Sequence, residues 1–253
     1  MLYPEDKYNY DDEGDLRVAE PPSLDHPLGT TATGRDVFSR LLLGARPTAI
    51  TGLLGGGILI TLGSLVGISA GFKGGRIDTA LMRFTDLVYG LPLIPFAIVM
   101  VAFFGTGFFQ TITIIGLILW RGSARVLRAQ VLQIKQREFI LAVRAEGASS
   151  LYIIRKHIIP NILPMMAFFF AVGLGGTIII QAGLSFIGVS NPFVPSWGVM
   201  IRNAFDSGYV TAWWWSLPPG LLISGVVYCS IMLGRSIETT DDSTESEGLA
   251  SMG

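Results

Sequence analysis

The chain has 253 residues, half of them hydrophobic and only 15% charged, with a formal net charge of −1. A water-soluble domain carries about 25% charged residues, and here the charges are also segregated, with none from Pro47 to Phe72 or from Ile162 to Ile187. This excludes an ordinary soluble domain and points to an all-α, polytopic membrane protein.

In chain order, residues 1–46 come first, acidic and Pro-rich at the start, without the apolar core of a secretion signal. This segment is expected to be loosely ordered. The membrane domain follows over residues 47–235, with five spans expected on the criterion of roughly 20 mostly apolar residues. They are Thr48 to Phe72, Leu87 to Phe104, Phe108 to Ser123, Ile162 to Ile187 and Ala212 to Leu233. Gly52 and Gly56, then Gly63, Gly67 and Gly71, give the first span a small-residue face that admits close helix packing. Pro92 and Pro95 in the second span and Pro218 and Pro219 in the fifth read as breaks or kinks. Their freed backbone groups need neighbouring helices or a watery cavity. Pro92, Pro95 and Gln181, a polar side chain within a span, are therefore candidates for lining a pathway, with ordinary packing, or for Gln181 interhelical hydrogen bonding, as the alternative. Residues 236–253 form an acidic tail expected to be disordered.

Basic residues set the expected orientation. Lys73, Arg76 and Arg83 follow the first span, a dense basic group from Arg121 to Lys156 follows the third, and Arg235 follows the fifth. Those segments are expected in the cytoplasm, with the N-terminus outside and the C-terminus inside. Trp213, Trp214 and Trp215 then form an aromatic belt at the outer interface, and Arg121 snorkels at the end of its span.

Enzyme chemistry finds no support. No GxxxxGK[ST] phosphate loop occurs, so the chain is not expected to hydrolyse ATP itself. No HExxH, paired-Cys or Ser-His-Asp arrangement is present, and no acidic residue lies within a span, which argues against a carboxylate-coupled carrier. The lone Cys229 reads as buried filler, and His26 and His157 stand far apart, so neither a metal nor another cofactor is expected.

Between the third and fourth spans lies REFILAVRAEGASSLYIIRKHIIPNILP, an amphipathic and basic insert. Phe139, Val143, Leu151, Ile154 and Ile158 fall at spacings that suit one helix face. Gly147, with Ala148, Ser149 and Ser150 after it, predicts a turn and a serine-capped restart, and Pro160 is expected to end the amphipathic portion. Two short helices with a bend should therefore lie along the cytoplasmic surface. One reading is a knob for a partner's socket; the other is an interfacial helix on anionic lipid.

The insert resembles the cytoplasmic EAA loop of binding-protein-dependent ABC importer permeases. The match runs through Leu141, Ala142, Val143, Gly147, His157, Ile158, Ile159 and Pro160. Leu141 stands at the acidic position and His157 at the first isoleucine, which looks like the dipeptide, oligopeptide and nickel branch; Glu146, where that branch has an apolar residue, departs from it. HPLGTTATGRDVFSRLLLGAR, GLSFIGVSNPFVPSWGVMI and WWWSLPPG resemble further blocks of that branch's second permease subunit. The helix that normally precedes the first of these blocks has no counterpart here, as in an altered start, a truncation or a variant.

The resemblance implies a type I importer transmembrane domain in the cytoplasmic membrane, with the loop at 137–160 as its coupling element. It implies that Glu138, Ala142, Arg144, Glu146, Gly147, Ala148, Ser149, His157 and Pro160 meet an ATPase. Implied partners are a second, homologous permease, two cytoplasmic ABC ATPase subunits, an extracellular solute-binding protein and the lipid bilayer, with no nucleic acid. Short peptides are the implied substrate, with nickel or another small solute as an alternative. From other classes, a stand-alone channel or secondary carrier and a membrane scaffold remain rival readings.

Overall fold

The computed structural model describes residues 18–209 and 211–250, and side chains as far as Ile237. The acidic start over residues 1–17 and the end of the tail over residues 251–253 lie outside the described residues. Described helices are α1 (Val37–Lys73), α2 (Gly75–Tyr89), α3 (Leu93–Phe104), α4 (Phe108–Ile134), α5 (Glu138–Ala145), α6 (Ser150–Ile153), α7 (Ile159–Phe186), α8 (Trp197–Asp206) and α9 (Trp213–Ala250). A π-helical segment, Ile154–Ile158, joins α6 to α7.

The long helix α1 organises the bundle. Asp36 caps its start, its Oδ2 accepting from the Ser39 N–H at 2.7 Å. Gly74, with φ +68°, lets the chain turn at its end. Of its 37 residues, the glycines sort into two contact regions. A Cβ on Gly52 would lie 2.9 Å from Ile178 Cδ1, and one on Gly56 3.1 Å from the Leu174 nitrogen, so this half seats α7. A Cβ on Gly67 would lie 2.6 Å from the Ala124 carbonyl oxygen, and one on Gly71 2.9 Å from that of Arg128, so the other half seats α4. The glycine face expected from the sequence is thus used twice, against two helices, because only a missing Cβ lets the backbones approach so closely.

Several boundaries differ from the sequence reading. Order begins well before residue 47: α1 starts at Val37, and the preceding segment is tied by bonds from Ala19 N–H to the Thr31 carbonyl and from Glu20 N–H to Thr30 Oγ1, each 2.9 Å. The expected single span Leu87 to Phe104 is two helices, α2 and α3, bent by 88°. Gly90, Leu91 and Pro92 form the break; Pro92 caps α3 and Pro95 sits in its first turn, where a missing N–H costs little. Pro160 does not end a helix either. The π-helical turn before it widens the backbone, and helix runs from Ser150 to Phe186. Pro218 and Pro219 likewise lie inside a continuous α9, whose backbone continues as helix to Ala250 where a disordered tail was expected; no proline interrupts that stretch.

Among the described residues, three helices are long and apolar enough to cross a membrane, or up to four if the bent pair counts as one span. The expected third span is the exception. Its helix α4 extends to Ile134, and Arg121, Arg125 and Arg128 make its second half polar. An element not expected from the sequence is α8, a ten-residue helix between the expected fourth and fifth spans. Ser196 caps it, Val199 is buried, and Trp197, Met200 and Ala204 are buried against α1, α7 and α9.

Two single-residue expectations also change. Cys229 is exposed on the bundle's outer side rather than buried. Of the three tryptophans, only Trp213 is exposed, at 55%; Trp215 is buried in the core, and Trp214 Nε1 donates to the Thr30 carbonyl at 3.5 Å. The belt reduces to one ring because the N-terminal segment covers Trp214 and the helical core takes up Trp215.

Candidate functional site

The insert between α4 and α7 folds as a bent helical pair on the end of the bundle. Helix α5 stops in a Schellman arrangement: the Gly147 N–H donates to the Arg144 carbonyl at 3.1 Å and the Ala148 N–H to the Val143 carbonyl at 3.3 Å. Gly147 holds φ +86°, the left-handed conformation this motif requires. Val143 and Ala148 both pack against the same apolar cluster, which supplies the contact that accompanies such a cap. Ser149 then caps α6, its Oγ accepting from the Tyr152 N–H at 3.3 Å.

What anchors this unit differs from the face read in the sequence. Ile140, Ile153 and Ile158 are fully buried, packed with Phe72, Leu127, Val131, Ile134 and Ile162 from the ends of α1, α4 and α7. Phe139 and Leu151, assigned to the inner face by spacing, are instead 40% and 56% exposed. The chain reverses at Gly147, so helical phase does not carry across it, and a single periodicity over the whole insert misplaces the face. Two cations fasten the unit to the end of α1. Lys135 Nζ donates to the Phe72 carbonyl at 2.6 Å, and the Arg144 guanidinium lies 5.7 Å from the Phe72 ring centre.

The outward surface is apolar and small. Phe139, Leu141, Leu151 and Tyr152 are all 40% exposed or more, with Ala142, Ala145 and Gly147 between them. His157 is half-buried beneath two rings, 6.1 Å from Phe139 and 5.8 Å from Tyr152 between centres. Glu138, Arg144, Glu146 and Ser149 are exposed around this surface, and Pro160 is exposed at the start of α7. Ala148 turns inward as part of the cap, half-buried against the apolar cluster.

The pathway candidates lie elsewhere and do not converge. Gln181 is 3% exposed; its Nε2 donates to Ser185 Oγ at 2.8 Å and to Ser196 Oγ at 3.4 Å. Ser190 Oγ donates to Ser185 Oγ at 2.6 Å, completing a polar knot that ties α7 to the cap of α8. The amide thus bonds once within α7, to Ser185, and once to the cap of α8, at Ser196. Pro92 and Pro95 are exposed at the break between α2 and α3.

A feature missed in the sequence joins these regions. Arg121, Arg125 and Arg128 lie along one face of α4 and all reach α2. Arg128 makes a two-pronged pair with Asp78, at 2.5 and 2.6 Å, and Arg125 meets Asp86 at 2.7 Å. Arg121 does not snorkel; its Nη1 donates to the Val88 carbonyl at 2.6 Å, and it stacks 4.7 Å from the Tyr89 ring centre. The spacing of four and three residues was the available signal.

Comparison with known proteins bears directly on this arrangement. Residues 63–237 match the family described as the binding-protein-dependent transport system inner membrane component. The chain is 36% identical to the dipeptide transport system permease protein DppC of Bacillus subtilis over 224 residues, 88% of this chain and 70% of that protein. It is 31% identical to the oligopeptide transport system permease protein OppC of Haemophilus influenzae over 238 residues, 93% of this chain and 76% of that one. Its fold resembles an inward-facing structure of the MetNI methionine ABC transporter, with a TM-score of 0.63 at 20% identity, covering 79% of this chain and 95% of that one. The all-α bundle with its bent helical insert is a type I importer transmembrane domain, and the chain belongs to the family of binding-protein-dependent ABC importer permeases.

Proposed function

We propose that this permease subunit carries short peptides, forming half of a pathway with a second, similar permease, and that two ATPase subunits and an extracellular solute-binding protein drive and feed it. The observation that carries the coupling part is the two-sided insert. Ile140, Ile153 and Ile158 fix its inner side in the bundle, while Phe139, Leu141, Ala142, Leu151 and Tyr152 face outward. An outward apolar surface on a firmly seated element suits a desolvated socket, with the rim charges Glu138, Arg144 and Glu146 guiding approach. The peptide substrate is supported by the names of the similar proteins, a dipeptide and an oligopeptide permease. The orientation proposed places the insert in the cytoplasm and the N-terminus outside, from the basic residues at that end of the bundle.

The test is reconstitution of the permease with its partner subunits in proteoliposomes. Labelled di- and tripeptides should accumulate only with ATP and the binding protein, and the permease alone should transport nothing. Leu141→Glu with Tyr152→Glu should abolish ATPase co-purification while membrane insertion stays normal. Retained ATPase binding in that variant refutes the docking surface. A lipid-lying insert would instead lose function when Arg155 and Lys156 are replaced, and uptake of nickel rather than peptide would refute the substrate.

A further inference from the structure

Helix α2 is held by α4 at three levels, each through a different chemistry. Farthest from the elbow, Arg128 grips Asp78 with two parallel bonds at 2.5 and 2.6 Å, and both side chains are largely withdrawn from solvent, at 30% and 16% exposure. In the middle, Arg125 pairs with Asp86 at 2.7 Å in the open. At the elbow itself, Arg121 Nη1 takes the Val88 carbonyl at 2.6 Å and lies 3.4 Å from the Leu91 carbonyl, while Arg121 and Arg125 flank the Tyr89 ring at 4.7 and 4.4 Å. Pro92 brings no N–H to the Val88 carbonyl, which accepts from the Leu91 N–H at 3.2 Å, and Arg121 adds a second, shorter and charged donor there.

Connectivity gives this clamp a direction. At one end, α4 passes through Lys135, Gln136 and Arg137 into α5, the element proposed to meet the ATPase. At the other end, α2 stops at Gly90 and the chain turns by 88° into α3, whose Ile94 and Ile98 are exposed. We propose that α2 is a strut: Arg121, Arg125 and Arg128 make it move with α4, so displacement of α5 reaches the Gly90–Pro92 elbow and re-aims α3. Arg121 and the Asp78–Arg128 pair are positioning groups in this device; they touch neither nucleotide nor substrate. The inference rests on the reading of α5 as the coupling element, and the strut is its continuation inside the bundle.

The experiment uses the assembled transporter with Cys229→Ser as background and an environment-sensitive fluorophore at either of two sites, Gln136→Cys at the entry to α5 or Ile94→Cys on α3. Both positions are exposed and neither belongs to the docking surface, so labelling disturbs neither the core nor the ATPase contact. With the native clamp, trapping the nucleotide-bound state should change the signal at both sites. With Arg121→Gln or Asp78→Asn, the α5 probe should respond as before, the α3 response should fall, and peptide delivered per ATP should drop about tenfold, within the range for residues that carry coupling. Exchanging the pair, Asp78→Arg with Arg128→Asp, should restore the α3 response, which a purely structural role for a single charge would not. An unchanged α3 response in both single variants overturns the strut. A native transporter whose α5 probe ignores nucleotide refutes the coupling reading, and the strut with it.

Discussion

Replacing Gly147 separates backbone strain from crowding at the coupling surface. A Cβ built there would meet nothing within 4 Å in this chain, so the free permease gains no clash from a side chain. The cost is conformational. Gly147 sits at φ +86°, and an L-residue held in the left-handed region pays roughly 1–2 kcal/mol. The ATPase must find the bend formed, whereas an unbound variant can relax out of it. Gly147→Ala should therefore weaken ATPase association by up to about 5–30-fold, the factor that 1–2 kcal/mol represents. Gly147→Asn should be much milder, because asparagine tolerates this conformation despite its greater bulk. Titrating purified ATPase against the detergent-solubilised variants, with thermal unfolding measured alongside, gives both quantities. The melting temperature of the bundle should hold for Ala and Asn alike, since neither contacts it. Native-like affinity for Gly147→Ala refutes the strain argument. Equal damage from Asn and Ala would assign the effect to crowding in the partner's socket.

Gly67→Val should destabilise the bundle by about 1–3 kcal/mol through overpacking, because its Cβ would sit 2.6 Å from the Ala124 carbonyl oxygen; Gly57→Ala, with nothing within 4 Å, should not. Equal melting temperatures for the two would sink the close-packing account of α1 and α4. Gln181→Leu should cost about 1–3 kcal/mol by removing two buried hydrogen bonds, to Ser185 and Ser196; a change in substrate affinity at unchanged stability would instead make Gln181 a pathway residue. Ser149→Cys and Phe193→Cys, in Cys229→Ser, should label from opposite sides of the membrane. Phe193 is 92% exposed, whereas Ser196 is only 1% exposed and would report burial rather than side. Labelling of Ser149→Cys from outside intact cells refutes the proposed orientation.

The membrane class, the bent insert and its glycine were legible because each rests on a local rule: apolar length, charge segregation, and a left-handed turn closing a short helix. Failures came where tertiary contacts overrode those rules. Pro160 lies within a helical run because a proline after a wider turn forfeits few bonds, whereas Pro218 and Pro219 sit in α9 beyond its first turn and each gives up a backbone bond there. Helix α8 was hidden because its apolar residues are too few to mark a span, and their burial depends on Leu41, Thr48 and Ile178 from distant segments. The arginine clamp was misread because the same cations also set the charge bias, and only the fold supplies Asp78 and Asp86 as partners.

The contact between Trp214 and the N-terminal segment has a consequence for biogenesis. Thr30 waits for a ring that lies 184 residues further along the chain, and Leu41 waits for Trp197, 156 residues on. At synthesis rates of roughly 5–20 residues per second, the first pairing cannot form until about 10–40 s after Thr30 has been made. During that interval Gly29 and Thr30 lack their cover, and α1 lacks the helix that closes over Leu41. A quality-control protease acting on the nascent permease should therefore cut near residues 29–41 early and lose that site once the last helix has inserted.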